Sequence, residues 1–345
     1  MKYDRVFFCQ AYNDVSYILA SIELEKYEEN LIIVVDNYGL FQFLESLDIK
    51  HAQFNFISRK LKSLRNPFQI ISERINIWRI RKNILANIND VKVTVYATVI
   101  DLLTCSCIEP LRKNNDVYLG TPLLESDNFS ECKTTSLKVK FLSKIYSTKL
   151  HSYQHVLNKT AGLPKKYVDK YLKADYILDK SRILKVQKKY SKNLSKDPFI
   201  LLLDTEVKTT FNLYKQSHTL KMTKVFDYLQ DYEVFLKGHP RRGASILALE
   251  HNFKIIDNQI PIEYIDLSNC ICVIGSISNS LAKIADHGVK SISLLKYLDF
   301  NDNNLKNGYM RGLLDRDTLE CRVLFPETFD SFKILLNKYT FSQNI

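Results

Sequence analysis

Glycine is scarce in this chain, at 9 of 345 residues, and no Gly-x-Gly-x-x-Gly or P-loop pattern occurs. That weighs against the pyrophosphate cradles of dinucleotide oxidoreductases and kinases. No apolar run approaches the ~20 residues of a membrane-spanning helix. The opening "MKYDRVFFCQAYND" carries a four-residue apolar run cut by Gln10, too short for the core of a secretory leader. Cysteines number seven, an odd count without regular spacing, which sets aside a disulfide framework and points to a reducing compartment. The pairs Cys105/Cys107 and Cys270/Cys272 would each share one face wherever the backbone is a strand. No second ligand pair stands at zinc-finger spacing, so they read as small buried hydrophobes. The one Asp-x-Asp, Asp315-Arg316-Asp317, lies in the C-terminal tail away from any sheet edge. His151 and His155 read as an exposed helix face, and His287 as a helix cap. The expectation is a cytoplasmic protein that uses neither metal nor cofactor.

What is abundant is positive charge. The chain carries a formal +11, with 46% hydrophobic and 25% charged residues, an ordinary globular composition. Residues 133–196 alone hold 17 Lys/Arg against Asp169, Asp175 and Asp179, a surplus of 14. A second cluster, 57–83, mixes Arg and Lys with Ile, Leu, Phe and the only Trp. Such a mixture suits a segment lying at an anionic membrane, and equally a plain solvated face. It also suits nucleic acid, but no helix-turn-helix, RNP or KH signature appears, and nucleic acid is not an expected partner.

At 345 residues the chain should form about two domains of ~150 residues each. Short β-prone runs alternate with helical stretches from "RVFFC" (5–9) through "LIIVVDN" (31–37) and "VKVTVYA" (91–97) to "DVYLG" (116–120). The alternation restarts at "PFILLLD" (198–204) and continues through "EVFLKGHP" (233–240), "FKIID" (253–257), "CICVIGS" (270–276) and "KSISLL" (290–295). Apolar strands interleaved with helices indicate parallel sheets covered on both faces. The expected fold class is α/β: two doubly wound, Rossmann-like domains facing a cleft. The boundaries are 1–150, an acceptor-side domain; 151–197, a basic helical crossover; 198–326, a nucleotide-sugar domain; and 327–345, a closing helix that packs back.

Three loops follow strands in the second half, and in a doubly wound sheet all three open on one edge. "DTE" (204–206) offers Asp204 and Glu206 as general bases, or as plain strand-end acids. "KGHPRR" (237–242) offers Lys237, His239, Arg241 and Arg242 to a phosphate or carboxylate, with Gly238 and Pro240 shaping the turn. "GSISNS" (275–280) puts Gly275, Ser276, Ser278 and Ser280 at a helix start. They form either an anion cradle or a simple cap. Between the last two, Glu263 in "IPIEY" could accept both hydroxyls of a ribose. Together these make a nucleotide-sugar site in which protein donors, not a metal, stabilise the leaving phosphate.

The order K-x-His-Pro, Pro-Ile-Glu, Gly-Ser-x-Ser-x-Ser-Leu resembles the bacterial sialyltransferases, most of all glycosyltransferase family 52. "RVFFCQAYNDVSYILASIE" is similar to that family's first strand and helix. The resemblance implies a GT-B-like pair of domains and inverting, metal-independent transfer of sialic acid, or a related nonulosonic acid, from a CMP-sugar. The acceptor it implies is a glycan or glycolipid precursor of capsule, O-antigen or lipooligosaccharide, reached from the inner face of the membrane through 57–83 and 133–196. It further implies that His239 contacts and protonates the departing CMP phosphate. Glu263 would bind the ribose, Ser276 with Ser278 or Ser280 the phosphate or sugar carboxylate, and Glu206, in preference to Asp204, would act as base. The chain departs from the related enzymes in one respect. Their acidic-acidic-Gly signature is absent where "VYLGTPLLESDN" (117–128) stands, with Glu125 and Asp127 the nearest acids. Other readings are a transferase of another nucleotide sugar and a non-catalytic nucleotide-binding subunit of a polysaccharide assembly complex.

Overall fold

The computed structural model describes residues 3–24, 28–61, 63, 65–96, 102–119, 141, 144–146, 180–205, 215–240, 242–276, 278–285, 288–314 and 323–341. They fall in two units, 1–189 and 190–345. In the first, β1 (Arg5–Cys9), β2 (Asn30–Val35), β3 (Ala52–Ile57), β4 (Lys92–Tyr96) and β5 (Asp116–Leu119) form one parallel sheet in the order β3-β2-β1-β4-β5. Its central strands are apolar on both faces, and Val6, Phe7, Ile32, Ile33 and Val93 are all fully buried, as a sheet flanked by helices demands. The helices are α1 (Tyr12–Leu24), α2 (Tyr38–Glu45), α3 (Pro67–Ile80) and α4 (Leu102–Leu111), with a π turn, Arg81–Leu85, continuing α3. Asn37 and Asn66 cap α2 and α3 by accepting from Leu40 and Phe68 N–H groups, and Pro67 occupies the first turn of α3. A further helix, α5 (Lys180–Lys189), packs on α1, where the Gln187 amide donates to Ser16 Oγ at 2.9 Å.

The second unit adds β6 (Lys192–Asn193), β7 (Phe199–Asp204), α6 (Lys215–Leu229), β8 (Val234–Gly238), α7 (Ile246–Leu249), β9 (Lys254–Ile256), β10 (Ile265–Asp266), β11 (Cys270–Gly275), α8 (Asn279–Ala285), β12 (Ser291–Ser293), α9 (Asn303–Leu314), β13 (Val323–Leu324) and α10 (Phe329–Phe341). Its parallel six-stranded sheet runs β13-β12-β11-β7-β8-β9. Numbered within the sheet, that is 6-5-4-1-2-3, the doubly wound order, and its switch point lies between β7 and β11. β6 and β10 form a separate two-stranded ladder. α10 lies against β11 of its own unit, with Phe332 and Leu336 fully buried.

The α/β class with two parallel sheets is as expected, and three elements differ from the sequence reading. β3 was not anticipated; "AQFNFI" is an edge strand with two polar residues, and its partner β2 imposes the extended form. The helix expected over 244–252 shrinks to Ile246–Leu249, since the chain must turn at His251 to enter β9. The crossover expected to be helical to 197 ends α5 at Lys189 and then pairs as β6; residues 151–179 lie outside the described residues. Among the described residues, no helix is long and apolar enough to cross a membrane.

Candidate functional site

Strand register sets the site. Asp204 lies opposite Gly238, and Leu203 lies opposite both Lys237 and Gly275. The carboxyl ends of β11, β7 and β8 are therefore level and adjacent, and the three polar loops expected at one edge leave from neighbouring strands at the switch point, where ligands of such sheets bind.

The His-Pro loop is a tight, self-closed turn. His239 N–H donates to Gly243 O at 3.1 Å, and Gly243 N–H returns to His239 O at 2.8 Å. Gly243 has φ 73°, a left-handed backbone that glycine adopts without a Cβ clash. Gly238 is needed for a different reason. A Cβ there would meet Ala244 N at 2.5 Å, Asn258 Oδ1 at 2.6 Å and Gly243 C at 2.7 Å. The chain crosses itself at this point with no room for a side chain. The His239 residue itself is exposed, beside the half-buried Pro240.

Asp204 fixes this turn to β7. Its Oδ2 accepts from Ser245 N–H at 2.6 Å, while Ser245 Oγ caps α7 by accepting from Ala248 N–H. Burial pushes the Asp204 carboxyl up, and hydrogen bonds from Ser245 and Thr205 pull the other way. The group that the sequence offers as an alternative base thus also ties the end of β7 to the N-cap of α7. Beside it, the Thr205 hydroxyl is buried without a hydrogen-bond partner among the described residues, a feature invisible in the string "DTE".

Lys237 turns inward. Only 5% exposed, it donates from Nζ to Asn258 O at 3.2 Å. Burial pushes its ammonium down to about 8, opposed by the charges of Asp257 and Glu263. The lysine therefore sits under the loop, within electrostatic reach of Glu263, instead of lining the loop's outer surface with His239. Glu263 is half-buried on a single 3-10 turn, Ile262–Tyr264, which Pro261 initiates. At the third loop, a Cβ on Gly275 would come 3.2 Å from Leu203 Cβ and O. Ser276 O accepts from Ser293 Oγ at 2.9 Å, and Ser278 Oγ accepts from Ser280 N–H at 3.3 Å. Ser278 thus serves the first turn of α8 as a cap. Glu206 and Arg241 lie outside the described residues, as do Asp315 to Asp317, His151, His155 and the stretch 120–128.

The first sheet has its own polar cluster at its switch point, between β1 and β4. Asp14, 4% exposed, accepts on Oδ2 from Ala11 N–H at 3.0 Å and Gln10 N–H at 3.3 Å. Gln10 donates to Thr104 Oγ1 at 2.7 Å, and Asn37 donates to Gln10 O. Burial pushes the Asp14 carboxyl up to about 6, into the range of a working acid or base. Sequence reading passed over it; the available signal was a polar Gln-Ala-Tyr-Asn-Asp turn directly after an apolar strand. The described cysteines are buried. Cys105 and Cys107 lie on α4, and burial pushes Cys270 up to about 12 and Cys272 and Cys9 well above the usual thiol value. Among the described residues, no group of three or more His, Cys, Asp or Glu side chains is placed to hold a metal ion.

Comparison with known proteins gives one family. The model of the alpha-2,8-polysialyltransferase (POLYST) family matches residues 108–294, more than half of the chain and a span that contains all three strand-end loops and Glu263. No curated protein matches the chain in sequence. Solved structures similar to it include a UDP-N-acetylglucosamine 2-epimerase from Rickettsia bellii, at 10% identity and a TM-score of 0.44, covering 99% of this chain and 96% of that one. The E. coli ADP-heptose lps heptosyltransferase II aligns at 11% identity and a TM-score of 0.42, with both chains fully covered. The glycotransferase of kitacinnamycin aligns at 9% identity and a TM-score of 0.47, covering 98% of this chain and 90% of that one. The fold rests on the strand orders given above and not on these likenesses.

Proposed function

The chain belongs to the alpha-2,8-polysialyltransferase family, and from that premise we propose that it transfers sialic acid, or a related nonulosonic acid, from a CMP-sugar to a cell-surface glycan precursor. It is a sialyltransferase-like glycosyltransferase; donor, acceptor and residue roles are our reading. The observation that carries that reading is the level alignment of β11, β7 and β8 at the switch point, which brings the His239 turn and the Gly275–Ser280 loop to one edge. The family-52 resemblance of the same loops supports the same donor.

In this reading His239 meets the CMP phosphate. An acceptor hydroxyl attacks the anomeric carbon and the bond from that carbon to the phosphate oxygen breaks. The phosphate takes a proton from His239, while Glu206 takes the proton of the attacking hydroxyl. One displacement of this kind inverts the centre, and the protein's own donors offset the charge that develops on the leaving phosphate. Asp204, held by Ser245 N–H, keeps the turn in place, leaving Glu206 as the better base. Glu263 accepts from the ribose, and the buried Lys237 ammonium fixes that carboxylate's surroundings without touching the ligand. The acceptor is a growing glycan on the inner face of an anionic membrane.

Calorimetric titration with CMP, UMP, GMP and AMP in the presence of EDTA, on the wild type and His239→Ala, tests the site. CMP alone should bind, and the substitution should weaken it by about 1.5–3 kcal/mol, the worth of a charge-assisted hydrogen bond. Binding of UMP instead moves the donor to a UDP-sugar. Silence with all four nucleotides removes the nucleotide site. Binding of CMP with no turnover on any acceptor, unchanged in Glu206→Gln, leaves a binding subunit in place of an enzyme.

A further inference from the structure

Helix α3 is apolar on two opposite faces. One face is core: Ile77 and Ile80 are buried, Ile70 packs against the same cluster, and Glu73, fully buried, accepts on Oε2 from the Lys60 and Leu61 N–H groups. The helix is further fixed by Asn76, which donates to Ser58 O, and by Arg81, which donates to Ser106 O. The other face carries Phe68, Ile71, Ile75 and Trp78, exposed by 80%, 56%, 44% and 57%. At 3.6 residues per turn these four fall within an arc of about 80°, opposite the buried face. Large apolar side chains usually reach the surface singly; a continuous row marks a surface with a partner.

The charges around the row say which partner. Arg74 flanks it on one side and Arg79 on the other, both exposed, and the Lys82 ammonium sits 5.0 Å from the Trp78 ring centroid. Arg65 and Lys60 are exposed in the turn before α3. An apolar ridge bordered by cations, with Trp and Phe in the ridge, is the composition of a helix lying in the interface of an anionic bilayer. Nucleic acid or an acidic glycan would satisfy the cations but offer no apolar phase to Phe68 and the two isoleucines.

We propose that α3 docks flat on an anionic lipid bilayer. Phe68, Ile71, Ile75 and Trp78 enter the acyl boundary while Arg74, Arg79 and Lys82 meet headgroup phosphates. This deepens the membrane location proposed above and is independent of the donor and of the reaction.

Trp78 is the chain's only tryptophan, so its fluorescence reports this face alone. On vesicles of phosphatidylcholine with phosphatidylglycerol its emission shifts to the blue and is quenched by brominated acyl chains; phosphatidylcholine alone gives neither response. The triple variant R74E/R79E/K82E binds anionic vesicles on the order of 100-fold more weakly. The triple variant F68S/I71S/I75S binds on the order of 10-fold more weakly or worse. Both variants keep the wild-type melting temperature and CMP affinity. A failure of CMP binding in every variant would count against the nucleotide site and leave the vesicle result standing. The proposal is overturned by vesicle sedimentation without quenching by brominated chains, which places contact on another face. It is equally overturned if duplex DNA or an acidic polysaccharide produces the same Trp78 shift. A blue-shifted Trp78 in the free monomer would mean the chain covers its own stripe, and a shift that grows with protein concentration would make the occupant a second copy; either result refutes it.

Discussion

Gly238→Ala puts the crossing beneath the His-Pro turn under direct test. Glycine is not required here for a left-handed backbone; among the described glycines only Gly243 and Gly288 have positive φ. The cost is contact. A methyl at 238 would lie 2.5 Å from Ala244 N and 2.7 Å from Gly243 C, with Asn258 Oδ1 at 2.6 Å. Two of these are backbone atoms that cannot rotate away. Gly243 is tied to His239 by reciprocal hydrogen bonds, and Ser245 N–H is held by Asp204 two residues later. Overpacking typically costs 1–3 kcal/mol, and pinned backbone places this substitution at the upper end, about 3 kcal/mol. For a unit the size of 190–345, each kcal/mol moves the melting temperature by roughly 2–4 °C, so the expected fall is roughly 6–12 °C. Two other glycines calibrate the scale. Gly275→Ala meets Leu203 at 3.2 Å and should cost about 1 kcal/mol. Gly308→Ala, in α9 with nothing within 4 Å, should stabilise by about 0.8–1 kcal/mol through helix propensity. Far-UV circular dichroism is the suitable probe, because Trp78 reports on the first unit. CMP affinity should fall in Gly238→Ala and hold in Gly308→Ala. If Gly238→Ala melts with the wild type, the tight crossing is not as described and the fixed loop geometry goes with it.

Two further expectations concern buried charges. Asp14 is raised from 3.8 to about 6 in the folded chain. The folded state therefore holds the proton more tightly than the unfolded state, and stability declines as pH rises from about 4 to 6. The loss is at most about 3 kcal/mol and persists above that range. Asp14→Asn keeps an acceptor for the Ala11 and Gln10 N–H groups and should be more stable than wild type at pH 7, with the pH 4–6 slope flattened; urea midpoints across that range decide, and a less stable variant refutes the assignment. Lys237 has the opposite sign, being lowered from 10.5 to about 8. The folded state releases this proton first, so the cost of the buried charge is full below pH 8 and is relieved as pH rises toward 10.5, by up to about 3 kcal/mol. The difference in urea midpoint between wild type and Lys237→Met should narrow or reverse in favour of wild type from pH 7.5 to 9.5. A constant difference would mean that Lys237 carries no such strain.

The sequence by itself determined the central strands and their chemistry. Runs such as "VFF", "LIIVV" and "ILLL" have no exposed face to offer, so they had to be interior strands of parallel sheets. The polar residues that punctuate them, Asp204, His239 and the serines after Gly275, are legible because they stand directly after such runs, and Glu263 because it follows Pro261-Ile262 between two of them. Tertiary structure decided everything that depends on which strand lies beside which. β11 pairs with β7 across some seventy residues of chain, and only that pairing sets the three loops level. Tertiary structure also tied Asp204 to Ser245 N–H, drew Lys237 under the loop, and buried Asp14 enough to raise its carboxyl. Asp204 and Lys237 find their partners, Ser245 and Asn258, in distant segments, and Asp14, bonded locally to Ala11 and Gln10, owes its burial to the surrounding fold; local sequence carries no record of any of these positions. Helix α3 gives the clearest division. Its sequence holds two apolar rows at helical spacing, Ile70, Ile77 and Ile80 on one side and Phe68, Ile71, Ile75 and Trp78 on the other, and periodicity alone cannot rank them. Packing ranked them: the Glu73 carboxylate binds the backbone of the turn after β3 and brings the isoleucine row inward with it, which leaves the aromatic row outside.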